Sequence, residues 1–542
     1  MPRCCVLPPV PRSLASFLFS AALLSAQSPA PKPGKLEGLV TNSVTGEPVK
    51  KAIVTVHGLK SNYEAATDAA GHFHFENLPP GTYQAMASRD GFTALSDRNP
   101  WTKQFEITEE QELKGVVVKL VPLAVVNGRV VDEDDDPIEG AHVQALLYRY
   151  GLGGKRLNPA GFALTNDLGE FQFQDLRPGR YYLRVSISRR LRYFAGRTVS
   201  ETPDMTYADT FYPNGAQPEQ ATAVQIAAGA HLSNLDFHLR KTRAYHVRGK
   251  AVEADSGKPL HDVTLRIASP GANFGGFNGV RVQSDGRFDA RGLASGSYIF
   301  YGQGSAFMVQ ETVNVGDEDV DGLILPFRKP LEISGKVEWD GAPPQQTSGF
   351  QVILDSLGEG SFSAEPVNTQ GTFVFRASRG VYRFNVNHPA GSYVKSIKLG
   401  DQDESSGRID LTDFAGGTLT VLFGTDVGQL QGTVQTESGD AAAAAIITVS
   451  PREEFADRSD LFYRLNSNQD GSFNYQDVAP GEYKVLAWES GDLDEEMLQS
   501  PEFLKRFESR AVSVTISPGG HASIPLKLIP LAEIEAERNR LP

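Results

Sequence analysis

Cysteine is almost absent. The 542 residues contain two, Cys4 and Cys5, both at the extreme N-terminus. That excludes a disulfide framework or a thiolate metal site across the body of the chain. Positive charge is also in short supply: 52 Lys and Arg face 66 Asp and Glu, for a net charge of −14. Nucleic-acid backbones and anionic membrane surfaces call for the opposite sign, so neither is an expected partner. Catalytic signatures are missing as well. There is no His-Glu-x-x-His, no Gly-x-Ser-x-Gly and no phosphate loop, and thus no motif for metal-assisted, serine or nucleotide chemistry. Helical periodicity is absent until the tail LAEIEAERNR (531–540), which reads as a helix.

The most apolar run, Leu14 to Leu24, is too short to span a bilayer. Arg3 and Arg12 precede it and Ser25-Ala26-Gln27 follows, the layout of a secretory signal peptide cleaved after Ala26. Both cysteines lie ahead of that run, away from a lipoprotein cleavage position. The chain is therefore expected to be exported, to the periplasm, cell surface or beyond, with no transmembrane segment in its mature part.

What the sequence has in quantity is glycine and proline, 53 and 33, without a triplet period. They punctuate a phrase that recurs five times: TDAAGHFHFENLPPGTY (67–83), TNDLGEFQFQDLRPGRY (165–181), QSDGRFDARGLASGSY (283–298), NTQGTFVFRASRGVY (368–382) and NSNQDGSFNYQDVAPGEY (466–483). The phrase's glycine and its closing tyrosine are twelve apart in four copies and eleven in the fourth. A fixed internal period signals an array of like units. Phe-x-Phe places two rings on one strand face, toward a core. The glycine before it suits a turn with positive φ, and the following Pro-Gly reads as a second turn. The tyrosine then starts another strand, at the position of a tyrosine corner. Each unit opens on a short strand with its own glycine (Gly38, Gly128, Gly249, Gly335, Gly432) and holds about seven strands.

The pattern is an all-β tandem array: a signal peptide (1–26), a linker (27–35), β-sandwiches at 36–122, 123–243, 244–330, 331–428 (divergent) and 429–530, and a short tail (531–542). Short connections such as KLVPLAVVNG and LRKTRAYHVRG predict a semi-rigid rod. The run Gly-x-Val, Gly-x-Pro, apolar strand, Asp-x-x-Gly-x-Phe-x-Phe and Leu-x-Pro-Gly-x-Tyr resembles the carboxypeptidase regulatory-like domain. That resemblance implies a prealbumin-like sandwich, also grouped with carbohydrate-binding-like folds, and no peptidase activity of its own.

Candidate chemistry is thin. Ser392 and Lys395 match Ser-x-x-Lys but sit in a strand-like run rather than at a helix start. Asp317, Asp319 and Asp321 open like a calcium loop whose twelfth residue, Arg328, is wrong for calcium. They and the run Asp132 to Asp136 read as solvated turns. His72 and His74 flank Phe73 and point outward together, without an evident third ligand. A Lys–Asn isopeptide link needs lysine on an opening strand and asparagine on the closing one, and no unit carries both. No cofactor, metal site or catalytic residue is expected.

The excursion at 186–222 is not shared by the other units. Its rings, Tyr193, Phe194, Tyr207, Phe211 and Tyr212, lie beside arginines and are the candidate ligand-binding residues, because rings on long loops can stack on sugars or anchor a partner. The bland alternative is that they cap the sandwich end. The function expected is a non-enzymatic scaffold, spacer or adhesion module of the cell envelope, with carbohydrate binding through sandwich loops as the alternative. The expected partner is accordingly a polysaccharide or an envelope protein.

Overall fold

The computed structural model describes residues 32–541 except 59–60, 96–104, 152–153, 188–204, 262, 270–277, 305, 345–349, 358–361, 492 and 539. The expected signal peptide, and Tyr193 and Phe194 of the excursion, lie outside the described residues.

The first unit shows the plan. Its strands are β1 (Gly34–Asn42), β2 (Ile53–Gly58), β3 (Asn62–Ala66), β4 (His72–Leu78), β5 (Gly81–Ser88), β6 (Phe92–Ala94), β7 (Phe105–Ile107) and β8 (Glu112–Pro122). Two sheets form, in the orders β4-β1-β8-β6 and β3-β2-β5-β7, with β1 and β8 parallel and β1 and β4 antiparallel. The parallel pairing of opening and closing strands recurs at Tyr245–Glu253 with Val320–Phe327, Leu331–Asp340 with Leu419–Gly424, and Gly428–Gln435 with His521–Ile529. Each unit is a β-sandwich with its own apolar core between its sheets, so the chain is an all-β tandem array. The fourth unit keeps this order and lengthens the strand beside its closing strand, Tyr393–Leu399 standing where the first unit has the three-residue β6.

The repeated phrase explains this plan residue by residue. The phrase glycines Gly71, Gly169, Gly286, Gly371 and Gly471 all have φ between 74° and 79°, a backbone state that costs a side-chain-bearing residue energy. An Asx side chain closes the same turn: Asp68 Oδ1 accepts from Ala70 N and His72 N, and Asn166 and Asn368 repeat the bond. Opposite each phrase, the first phenylalanine stands directly across from the opening glycine, as in Gly38 with Phe73 and Gly432 with Phe473. A Cβ on either glycine would collide with that ring and with a backbone carbonyl, of Val116 or Ile524. The corner tyrosines all donate to the carbonyl four residues back: Tyr83 to Pro79 (2.6 Å), Tyr181 to Arg177 (3.0 Å), Tyr298 to Ala294 (3.0 Å), Tyr382 to Ser378 (2.9 Å) and Tyr483 to Ala479 (2.8 Å).

Two features depart from the sequence reading. Besides the tail helix α3 (Leu531–Arg538), the fifth unit has two further short helices, α1 (Glu495–Gln499) and α2 (Pro501–Arg506). And the array is not a plain rod, because the fifth unit reaches back to the second. In the second unit β9 (Ala124–Val131) is followed by β10 (His142–Gly151) and β11 (Gly154–Leu164), a hairpin of ten and eleven residues where the first unit has six and five. Tyr150, near its tip, packs on Phe503 of α2 with ring centroids 5.2 Å apart and joins the cluster of Trp488, Met497 and Phe507. Arg149 lies 3.7 Å from Asp494, Lys155 N donates to Glu502, and Arg180 reaches the Leu541 carbonyl.

Tyr150→Ala is expected to release this clasp, since removing a buried aromatic ring deletes most of the apolar contact. Small-angle scattering should show a larger radius of gyration with the unit cores intact. An unchanged radius would count against the clasp in solution.

Candidate functional site

The structure turns the described rings of the 186–222 excursion inward. Phe211 is 7% exposed and packs with Leu146 and Tyr182. Tyr212 stands edge-on to the core ring of Phe237 at 5.6 Å. The Tyr207 hydroxyl donates to Asp132 Oδ2 at 3.3 Å, and burial, reinforced by the Asp132 charge, pushes its pKa up to about 12. A stacking platform needs an open ring face, and Phe211 has none: apolar rings on a long loop gain more from local burial than from water. Met205–Tyr207 also pairs with Lys241–Arg243, fastening the loop at the junction with the third unit.

The acidic turn at 132 is likewise more than a solvated turn. Asp132 is buried and accepts from Asp134 N, Asp136 N and Lys241 Nζ (2.8 Å). Burial alone would raise its pKa; these donors outweigh burial and hold the carboxyl below the usual range. Its lone pairs are spent on the fold. Asp319 and Asp321 pair with Arg248 at 3.0 and 2.9 Å. His72 and His74 both point outward from β4. Among the described residues no group of three or more His, Cys, Asp or Glu is placed to hold a metal. Ser392 is buried with its hydroxyl on Pro389 O (2.6 Å), whereas Lys395 is on the Asp340 carboxylate at 2.5 Å. The two therefore do not form a nucleophile–base pair.

Sequence reasoning missed the fifth unit's own excursions. After strand Ile446–Pro451 the chain makes two 3-10 turns (Glu453–Phe455 and Ser459–Leu461), and after Gly481–Trp488 it forms α1 and α2. Asp494 caps α1 by accepting from Glu496 N, and Pro501 opens α2. These segments cover the outer face of the sheet, so Ile446–Pro451 is buried on both faces. A cavity of about 340 Å3 remains between that face, the 3-10 segment and α2. Ser450 and Leu486 line it from the sheet, Phe462 and Leu504 from the walls, and Lys484 and Lys505 stand at its rim. Ser450 is 7% exposed and its hydroxyl has no hydrogen-bond partner.

The same 3-10 segment ties the fifth unit to the fourth. Arg383 bonds Asp457 at 3.0 Å, and Arg458 donates to the carbonyls of Ser405 (3.0 Å) and Val394 (2.9 Å).

Fold and geometry thus define an all-β, tandem β-sandwich protein whose last unit carries a helical cover. Residues 35–119 and 125–240, in the first two units, match the family model of the carboxypeptidase regulatory-like domain. No curated protein matches the chain. Solved structures with some likeness include a streptococcal ancillary pilin (14% identity, TM-score 0.20, covering 55% of this chain and 99% of that one). The Bacillus anthracis TIE protein has 10% identity and a TM-score of 0.16, with 76% and 74% of the two chains covered. BcpA, the major pilin subunit of Bacillus cereus, has 10% identity and a TM-score of 0.17, with 55% and 100% covered. Likeness at this level carries no argument about function. Among the described residues no helix is long and apolar enough to cross a membrane.

Proposed function

We propose that this chain is an exported, non-catalytic scaffold whose sandwich units hold one another in a fixed arrangement in the cell envelope. The observation that supports this most is the double engagement of the fifth unit, with Tyr150 of the second on one side and Ser405, Val394 and Arg383 of the fourth on the other. Contacts between units distant in sequence fix their relative placement, which is what a platform for presenting or spacing partners requires. The residues shared by the five copies support it too, because turn glycine, core phenylalanine and corner tyrosine are all used by the fold.

The test is chemical crosslinking of the full chain in native envelope extracts, alongside turnover assays on peptide, ester and glycoside substrates. Reproducible crosslinks to an envelope protein without turnover are expected; robust hydrolysis would overturn the proposal. Carbohydrate binding is the second reading, carried by the likeness to carbohydrate-binding-like folds rather than by the observed ring geometry. Saturable retention on a polysaccharide column would favour it over the scaffold.

A further inference from the structure

We infer that the cavity of the fifth unit is a binding site for a small amphipathic carboxylate, a molecule with an apolar body and one anionic end. Three properties of the cavity combine to select that chemistry.

The first is size and lining. At about 340 Å3 it falls at the small end of the range for ligand sites, about 300–1,000 Å3. Phe462, Leu486 and Leu504 give it an apolar interior, so the body of the ligand is apolar. The second is the Ser450 hydroxyl. It lies within the lining, is more than nine-tenths buried and lacks a partner. A buried hydroxyl left unpaired costs free energy that a ligand oxygen would recover. None of the other four copies places a serine here: the residues at the equivalent register are His57, Leu146, Ala268 and Asp355.

The third is charge at the rim. Lys484 is held by Glu508, whose carboxyl its hydrogen bond keeps below the usual range. Arg452 lies between Glu454 and Glu482, each at 3.7 Å. Lys505, in the last turn of α2, has no carboxylate within ion-pair distance among the described residues. Lys505 is thus the rim lysine left without an ion pair, in a lining that also holds Glu453 and Glu508, and it stands beside an apolar interior where a carboxylate–ammonium contact is stronger than in bulk water. Anchoring of the anionic end by Lys505, with the body against Leu486 and Leu504, satisfies all three features at once.

The test uses the full chain, 3-phenylpropanoate and octanoate as probes, and 3-phenylpropanamide as the neutral isostere, read by ligand-observed NMR titration. Saturable binding of at least one acid is expected, about tenfold tighter than the amide. Lys505→Gln, an exposed substitution that leaves the core alone, should weaken acid binding severalfold and leave amide binding unchanged. Ser450→Ala should weaken both. Equal affinity for acid and amide, or indifference to Lys505→Gln, overturns the anionic assignment. Failure of every probe to saturate overturns the site.

Discussion

Asp460→Ala is expected to destabilise the fifth unit and its seam with the fourth by about 3–5 kcal/mol, the usual cost of stripping one partner from a buried ion pair. Arg458 and Asp460 have side chains only 2% and 1% exposed. The guanidinium meets the carboxylate through both Nε and Nη2, each at 2.7 Å, a bidentate geometry that repays desolvation. Arginine cannot shed its proton to escape burial. With Asp460 gone, the carbonyls of Ser405 and Val394 remain as dipolar partners, but they cannot neutralise the charge. The double variant Arg458→Met with Asp460→Leu should recover most of the loss, because replacing both members with apolar groups removes the desolvation term. Hydrogen exchange of strands 446–451 and 481–488 reports the fifth unit locally, avoiding a single transition assigned to a multi-domain chain. Equal protection in Asp460→Ala and the parent chain would show that water already reaches the pair.

The fold was legible because the phrase repeats constraints that only one backbone satisfies. A positive-φ glycine, alternating phenylalanines and a tyrosine at fixed spacing each act within a few residues, so their geometry follows from local sequence. The divergent fourth unit kept that core, with Phe373 and Phe375 packed edge to face at 5.4 Å, although its strand Tyr393–Leu399 is longer than the equivalent β6.

Contacts between units were not legible. Nothing local marks Tyr150 as an anchor, since a tyrosine near a hairpin tip is as well suited to water as to a partner unit. The helices of the fifth unit span five and six residues, too few for a 3.6-residue period to emerge. Some signal was present nonetheless. Ile446, Ile447, Thr448 and Val449 form a nearly continuous apolar strand, whereas β2 alternates exposed and buried positions. A strand apolar on successive residues is covered on both faces, and Ser500-Pro501 is a helix-start pair. The excursion at 186–222 was hard to read for a related reason: aromatic content does not reveal direction, and Phe211 packs against Leu146 and Tyr182.

Trp488→Ala should then be the most disruptive single change to the helical cover, costing about 3–5 kcal/mol for loss of a fully buried indole. Trp488 is wholly buried; its ring is stacked 5.7 Å from Phe503 and edge-on at 5.0 Å to Phe507. Its indole N–H donates to Thr448 Oγ1 at 2.9 Å, tying sheet to cover. Phe503 in turn carries the contact with Tyr150, and α2 forms one wall of the cavity. One substitution is thus expected to remove three properties together: exchange protection of 495–507, the compact radius set by the clasp, and carboxylate binding. Trp488→Phe preserves most of the packing and loses only the indole bond, so it should cost about 1 kcal/mol for that bond plus a smaller cavity term, and keep the cover in place. Full protection of 495–507 in Trp488→Ala would mean that the cover is held by contacts other than this stack. The clasp and the cavity would then have to be treated as independent features of the fifth unit, each depending on its own local packing around Met497 and Leu504.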